Sequence, residues 1–424
     1  AQKLHEEYYL GWHDVSLPHK IKIGIGGCPN NCAKPDINDF GIMGQRTPDY
    51  CEDDCKKCRK CAVANACPVK AASVDENRVM HIDGQGCTFL MEPGVSFFAF
   101  VGCENVRLEN CTFDMTEPVY LVGKVESVSG KTVTFTTDRD PHTGSYDFTG
   151  ENGFCIRFNE GVQNRPHRFI AQMTRTGDKR VSVVYRDQPD VAKGDLVFLP
   201  NPGIGHHYGE VVYIGSCTGA MVFENINVRQ APSFIMNVRS NNAEIYFENV
   251  DFMPDGNDGR AIHMVSWRDG YHCKDNRLPI HWNECDVGVL FDDVFNISNT
   301  LGYVTGTSGD GIFSACNYEL YSMGQRAAFD CRAGDVVDVY DLDTGAYCGS
   351  GKVREVTVNP NGMSTMILDY GEIVRNVHEG CVVANRNTGA PGSTITNSRF
   401  TGTYRFLRDL RVENCRFEAL AMWM

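Results

Sequence analysis

The sequence contains no run of about 18 apolar residues, so no membrane-spanning helix is expected. It also lacks the basic-then-apolar opening of a signal peptide. Residue 1 is Ala, and the chain reads as starting inside a domain. Positive charge is scarce: 40 Lys and Arg against 54 Asp and Glu leave a formal charge of −14. That balance argues against a nucleic-acid backbone or an anionic membrane as the main partner. Twelve of the 19 cysteines are scattered singly, in no metal or disulfide spacing. Single buried cysteines behave as small hydrophobes. Unpaired thiols beside a clustered set fit a reducing compartment, so a cytoplasmic location is expected, and secretion only if a leader precedes the given start. With 424 residues the chain is long enough for two or three domains.

The other seven cysteines, Cys28, Cys32, Cys51, Cys55, Cys58, Cys61 and Cys67, crowd into the first 67 residues. Residues 1–77 are therefore expected to form a small α+β, ferredoxin-like, cysteine-rich domain. In "CKKCRKCAVANACP", Cys55, Cys58 and Cys61 stand at two-residue gaps and can wrap one face of an iron–sulfur cubane. Cys67, just before Pro68, closes it. A zinc knuckle is the rival reading. The run resembles bacterial ferredoxin domains, departing from them in a last gap of five residues instead of three. Upstream, "LPHKIKIGIGGCPNNCAKPDINDFGIMG" resembles the siroheme-binding half of sulfite and nitrite reductases. The resemblance implies that Cys28 and Cys32 ligate a cluster, with Cys32 facing the siroheme iron. That family carries another cysteine pair further upstream, so the expectation here is a partial siroheme-cluster motif. A structural remnant, or a fusion of unrelated coding segments, is the alternative.

From residue 78 the pattern changes to short β segments that turn near Asn or Glu. "VRLENCTFD", "MVFENINV", "EIYFENVDF", "PIHWNECDV", "STITNSRF" and "LRVENCRF" each alternate apolar and polar residues around that turn. Adjoining copies are spaced 249 − 225 = 24 residues apart, from Asn225 to Asn249, and the last two 414 − 397 = 17. Repeats of this size with short strands predict a right-handed parallel β-helix, one coil per repeat, against a β-sandwich as the alternative. Two stretches, at about 118–212 and 328–385, break the repeat. Both share a Gly-Asp opening, at Gly194-Asp195 and Gly334-Asp335, and are expected to be small antiparallel β-barrels inserted into coil loops.

"RDGYHCKDNRLPIHWNECDVGVLFDD" holds Asp269 and, 292 − 269 = 23 residues later, the pair Asp292 and Asp293. If a coil takes about 22–25 residues, the three carboxylates fall on neighbouring coils about 4.8 Å apart. Adjacent strand residues face opposite sides, so the pair needs a bend or bulge to share one cleft. Clustered carboxylates suit glycoside hydrolysis, where an inverting pair stands about 6.5–9.5 Å apart. Trp267, Tyr271, His272 and Lys274, with Asn296 beyond the pair, are the expected substrate-binding neighbours. The bland reading is a strand ending in solvated turn residues.

The stretch from "HIDGQGCTF" through "GCENVRLENCTFD" to "DGYHCKDNR…FDDVFNIS" resembles glycoside hydrolase family 110 over about residues 78–424. The resemblance implies an inverting exo-α-galactosidase on a right-handed β-helix, acting on terminal α-1,3-linked galactose and needing no cofactor. Asp269, Asp292 and Asp293 would be its catalytic carboxylates. Polygalacturonases share the single-plus-pair arrangement, and Arg268, Lys274 and Arg277 could meet their anionic substrate. As the β region makes up most of the chain, the galactosidase is the expected function. The alternative is an iron–sulfur electron-transfer or sulfite/nitrite-reductase-like protein with an appended β-helix. Finally, the chain stops on the apolar run Ala419 to Met424, so a truncated solenoid is expected, missing a cap and self-associating through that end.

Overall fold

The computed structural model describes residues 23–26, 40–43 and, with short internal exceptions, 72–423. Ala1–Asp49 and Tyr50–Met424 are two compact units. In the first, Ile23–Gly26 pairs in parallel with Phe40–Met43. All seven clustered cysteines lie outside the described residues, as does Trp267.

The second unit is mainly β. Its parallel pairs run in sequence order: Met80–Met91 on Glu104–Met115, then Thr218–Val228, then Asn242–Phe252. Ile280–Asn283, Ser393–Thr396 and Leu410–Glu413 continue that ladder. A second parallel ladder joins Phe98–Val101, Val212–Gly215, Met236–Arg239, Tyr271–Lys274 and Asp293–Ser298. The 24-residue repeat is visible as register, Thr218 lying opposite Asn242 and Val228 opposite Phe252.

The turn asparagines explain the bend in these strands. Asn110, Asn225, Asn249, Asn397 and Asn414 all have φ between 52° and 57°, the left-handed region that Asn tolerates better than other residues with a Cβ. Their amides also stack: Asn249 Nδ2 donates to Asn225 Oδ1 at 2.9 Å, and Asn225 Nδ2 to Asn110 Oδ1 at 3.1 Å. Between turns, period-two alternation sends apolar side chains inward. Phe223, Phe247 and Trp282 stack at 5.3 and 5.9 Å between centroids and are fully buried. Burial of each Phe contributes about 1.5–3 kcal/mol.

Two antiparallel bodies interrupt the ladders. Seven strands between Tyr120 and Pro200 form one sheet, with an extra pairing of Val162–Gly177 to Arg180–Tyr185. The other is a closed six-stranded barrel made by Gly302–Gly309, Ile312–Asn317, Ser364–Leu368, Tyr347–Val358, Val336–Asp341 and Cys381–Asn385. Its first two strands lie upstream of residue 328. They are followed by a five-residue helix, Tyr318–Ser322, capped by Asn317, whose side chain accepts from Leu320 N at 3.0 Å.

At the C-terminal end, Arg416–Trp423 pairs in parallel with Arg399–Arg405. The side chains from residue 419 onward, on which the expected apolar end depends, lie outside the described residues. No helix among the described residues is long and apolar enough to cross a membrane.

Candidate functional site

The second ladder carries the acidic stretch. Gly270 N donates to Asp293 O at 2.9 Å, and Tyr271 lies opposite Phe295, which brings Asp269 beside Asp293 on adjacent strands. The register shifts between Asp293 and Phe295 against Thr403 and Tyr404, supplying the irregularity that the Asp292–Asp293 pair requires. One oxygen from each of Asp269, Asp292 and Asp293 lies within 4.8 Å of the others, closer than the 6.5–9.5 Å expected of an inverting pair.

Three like charges this close need compensation. Asp269 Oδ2 is 2.5 Å from His272 Nδ1 and accepts from Asn296 Nδ2 at 3.1 Å. Guanidinium groups of Arg268 and Arg405 stand 3.6 Å from Asp292 and Asp293, respectively. On the far side of His272, its Nε2 faces Arg239 at 3.0 Å. Arg239 in turn donates to Asn237 Oδ1 at 2.9 Å, and Asn237 donates to Glu210 at 2.8 Å. Phe234 lies against the His272 ring at 4.4 Å and beneath Arg268 at 4.7 Å. Burial lowers the pKa of His272, and the Asp269 carboxylate opposes that shift. The result is a hydrogen-bonded chain of carboxylate, imidazole, guanidinium and amide groups that runs from Asp269 through His272, Arg239 and Asn237 to Glu210.

His272 and Asn296 therefore stand beside Asp269, while Lys274 is one strand-face position beyond His272. Tyr271 is not on that face. Strand alternation turns its ring into the core, fully buried, where it stacks on Phe295 at 5.2 Å. Lys274 and Arg277 are not an open basic array for a polyanion either. Lys274 pairs with Glu319 at 3.2 Å, and Arg277 is held by Asp330 at 2.7 Å and Asp335 at 3.0 Å. Sequence reasoning missed Arg239, Phe234 and Arg405. Arg239 is opposite Lys274, 35 residues later in the chain, because the intervening coil is longer than the 24-residue repeat.

Among the scattered cysteines, Cys103, Cys111, Cys217, Cys273 and Cys285 are buried in the main core, as small hydrophobes would be. Burial pushes the thiols of Cys111 and Cys285 up to about 12.

Comparison with known proteins assigns the chain elsewhere than its carboxylates suggest. The family model for the nitrite and sulphite reductase 4Fe-4S domain matches residues 1–225. The coenzyme F420-dependent sulfite reductase of Methanocaldococcus jannaschii is 42% identical over 57 residues, covering 13% of this chain and 9% of the relative. An uncharacterised protein of the same organism is 34% identical over 61 residues, covering 14% of this chain and 21% of its own length. The chain thus spans under a quarter of either relative. These matches overturn the expected function. They lend no support to glycoside hydrolase family 110 or a polygalacturonase-like hydrolase, and they conflict with a terminal α-galactoside as partner. With more than half of its 424 residues matched to that model, the chain belongs to the nitrite and sulphite reductase 4Fe-4S domain family.

Proposed function

We propose that this chain is a sulfite/nitrite-reductase-like iron–sulfur protein in which Cys55, Cys58, Cys61 and Cys67 hold a [4Fe-4S] cluster. The observation that carries the reading is the family match, whose residues 1–225 take in all seven N-terminal cysteines. The donor chemistry fits. Four thiolates are the ligand set of such a cluster, and metal binding requires them deprotonated. Lys56, Lys57, Arg59 and Lys60 alternate with those cysteines and favour the anionic thiolates. Cys28 and Cys32 supply part of a siroheme-cluster motif, in the sequence just after Ile23–Gly26. A bound cluster supplies one-electron transfer.

In this reading residues 1–77 are the redox segment and residues 78–424 an appended right-handed parallel β-helix, with insertions at about 118–212 and 328–385. The parallel ladders and the left-handed asparagines at each turn support that architecture. The test is optical. Protein purified without oxygen should be brown, bleach on addition of dithionite, and lose the colour in Cys58→Ser. Colourless wild-type protein carrying one zinc ion in the Cys55–Cys67 run would reject the reading in favour of a zinc knuckle.

A further inference from the structure

At one end of the closed barrel, Asp341 ends the strand Val336–Asp341 and Cys381 begins Cys381–Asn385. The two are direct antiparallel partners. Such partners stand about 4.5–5.5 Å apart at Cβ. The turn before Cys381 brings His378 to the same place. Cys381 N donates to His378 O at 3.1 Å, and His378 N donates to Cys381 Sγ at 3.5 Å. One side-chain donor atom from each of Asp341, His378 and Cys381 lies within 4.8 Å of the others.

Each donor is held in position by a second group. Asp341 Oδ1 accepts from Thr344 N at 2.7 Å and Thr344 Oγ1 at 2.5 Å, which leaves Oδ2 facing His378 Nε2 at 2.9 Å. His378 Nδ1 is 2.7 Å from the carbonyl oxygen of Glu379. Both ring nitrogens therefore face oxygen acceptors. A neutral imidazole has a single N–H, so one of the two contacts would set lone pair against lone pair. A second proton on the ring resolves the conflict, and so does a metal ion between Nε2 and the carboxylate. An imidazole whose Nδ1–H is tied to a backbone carbonyl while Nε2 points at anionic donors has the orientation of a metal ligand.

We propose that Asp341 Oδ2, His378 Nε2 and Cys381 Sγ bind a divalent cation of the zinc class, with solvent completing the tetrahedron. The mixed nitrogen, oxygen and sulfur set suits zinc, whose bonds to these donors are about 2.0–2.3 Å, and is foreign to calcium and magnesium. His378 is more than half exposed while Cys381 is buried, so the imidazole side is the route of entry. Three protein ligands leave the fourth position open to water. The ion would tie the strands Val336–Asp341 and Cys381–Asn385 to the turn that carries His378.

The test uses the full chain, reduced and freed of metal, titrated separately with Zn²⁺ and Co²⁺. Binding by the N-terminal cysteines is common to wild type and variants, so the difference between them reports on the barrel. Wild type should take up one more equivalent of zinc than His378→Ala or Cys381→Ser. Its cobalt form should show a stronger thiolate-to-metal band than either. Thr344→Val should keep the equivalent but bind about 10–100-fold more weakly. His378→Ala alters an exposed side chain, and matching melting curves without metal will show that its fold is intact. If Cys381→Ser fails to fold, Asp341→Asn replaces it. Equal uptake by wild type and His378→Ala would overturn the proposal and leave a protonated imidazole paired with Asp341.

Discussion

His272 Nδ1 lies 2.5 Å from Asp269 Oδ2, while the other nitrogen of the same ring faces the Arg239 guanidinium at 3.0 Å. A guanidinium can only donate, so Nε2 accepts and the single ring proton sits on Nδ1, directed at Asp269. His272 is therefore neutral in the folded protein. Burial is the main cause, and the nearby Arg239 and Lys274 charges add to it against the pull of Asp269.

That assignment predicts a pH dependence. The folded pKa of His272 lies below the ordinary imidazole value of 6.5, so below about pH 6.5 the unfolded chain binds more protons than the folded one. The contribution is fully present above that pH, shrinks as pH falls, and levels off once pH passes below the folded pKa. Denaturation by urea at about pH 8 and about pH 5.5 should show wild type losing more stability on acidification than His272→Gln. Equal losses in the two proteins would mean that His272 takes up its proton as readily folded as unfolded, which would contradict the assignment.

The asparagine turn should be costly to break. Asn225 has a φ of 52° and shares hydrogen bonds with both Asn110 and Asn249. Asn225→Ala keeps a Cβ in the left-handed region and removes both bonds, so a loss of about 1–3 kcal/mol is expected. Asn225→Gly relieves the backbone strain and should lose less than Ala. An alanine variant as stable as wild type would show that the side-chain stack contributes nothing.

Arg277 should behave as a structural cation. It is almost buried and donates to Asp335, itself buried, and to the more exposed Asp330. Arg277→Met strands the Asp335 charge, and a loss of about 3–5 kcal/mol is expected. Asp330→Asn breaks only the exposed arm and should cost less than about 1 kcal/mol. Similar losses from the two substitutions would contradict this division.

What the sequence made legible was local. The Asn at each turn and the alternation around it led to the parallel registers, and the single-plus-pair spacing of Asp269, Asp292 and Asp293 led to their convergence. Long-range pairing was hidden. Asn283 meets Asn397 across 114 residues of intervening chain, because a whole barrel is inserted between their coils. Tyr271 was misplaced for a reason visible in "YHCK" itself. Alternate residues of a strand face opposite ways, so His272 and Lys274 could not share a surface with Tyr271. The candidate metal donors Asp341, His378 and Cys381 come from two strand ends and a turn, which no linear spacing discloses. The β region makes up most of the chain, yet the cysteine pattern of the first 67 residues is the more specific signal, and the family match includes it. The carboxylate cluster is met by its own neighbours, Arg268 and Arg405 by charge and His272 and Asn296 by hydrogen bonds.

The central claim is the iron–sulfur assignment, and metal analysis tests it most directly. Full-length protein prepared without oxygen should contain about four irons and about four acid-labile sulfides per cluster. Cys55→Ser, Cys58→Ser and Cys61→Ser should each reduce both together. Protein free of iron and labile sulfide after anaerobic reconstitution, or an iron content unchanged by those three substitutions, would contradict the assignment.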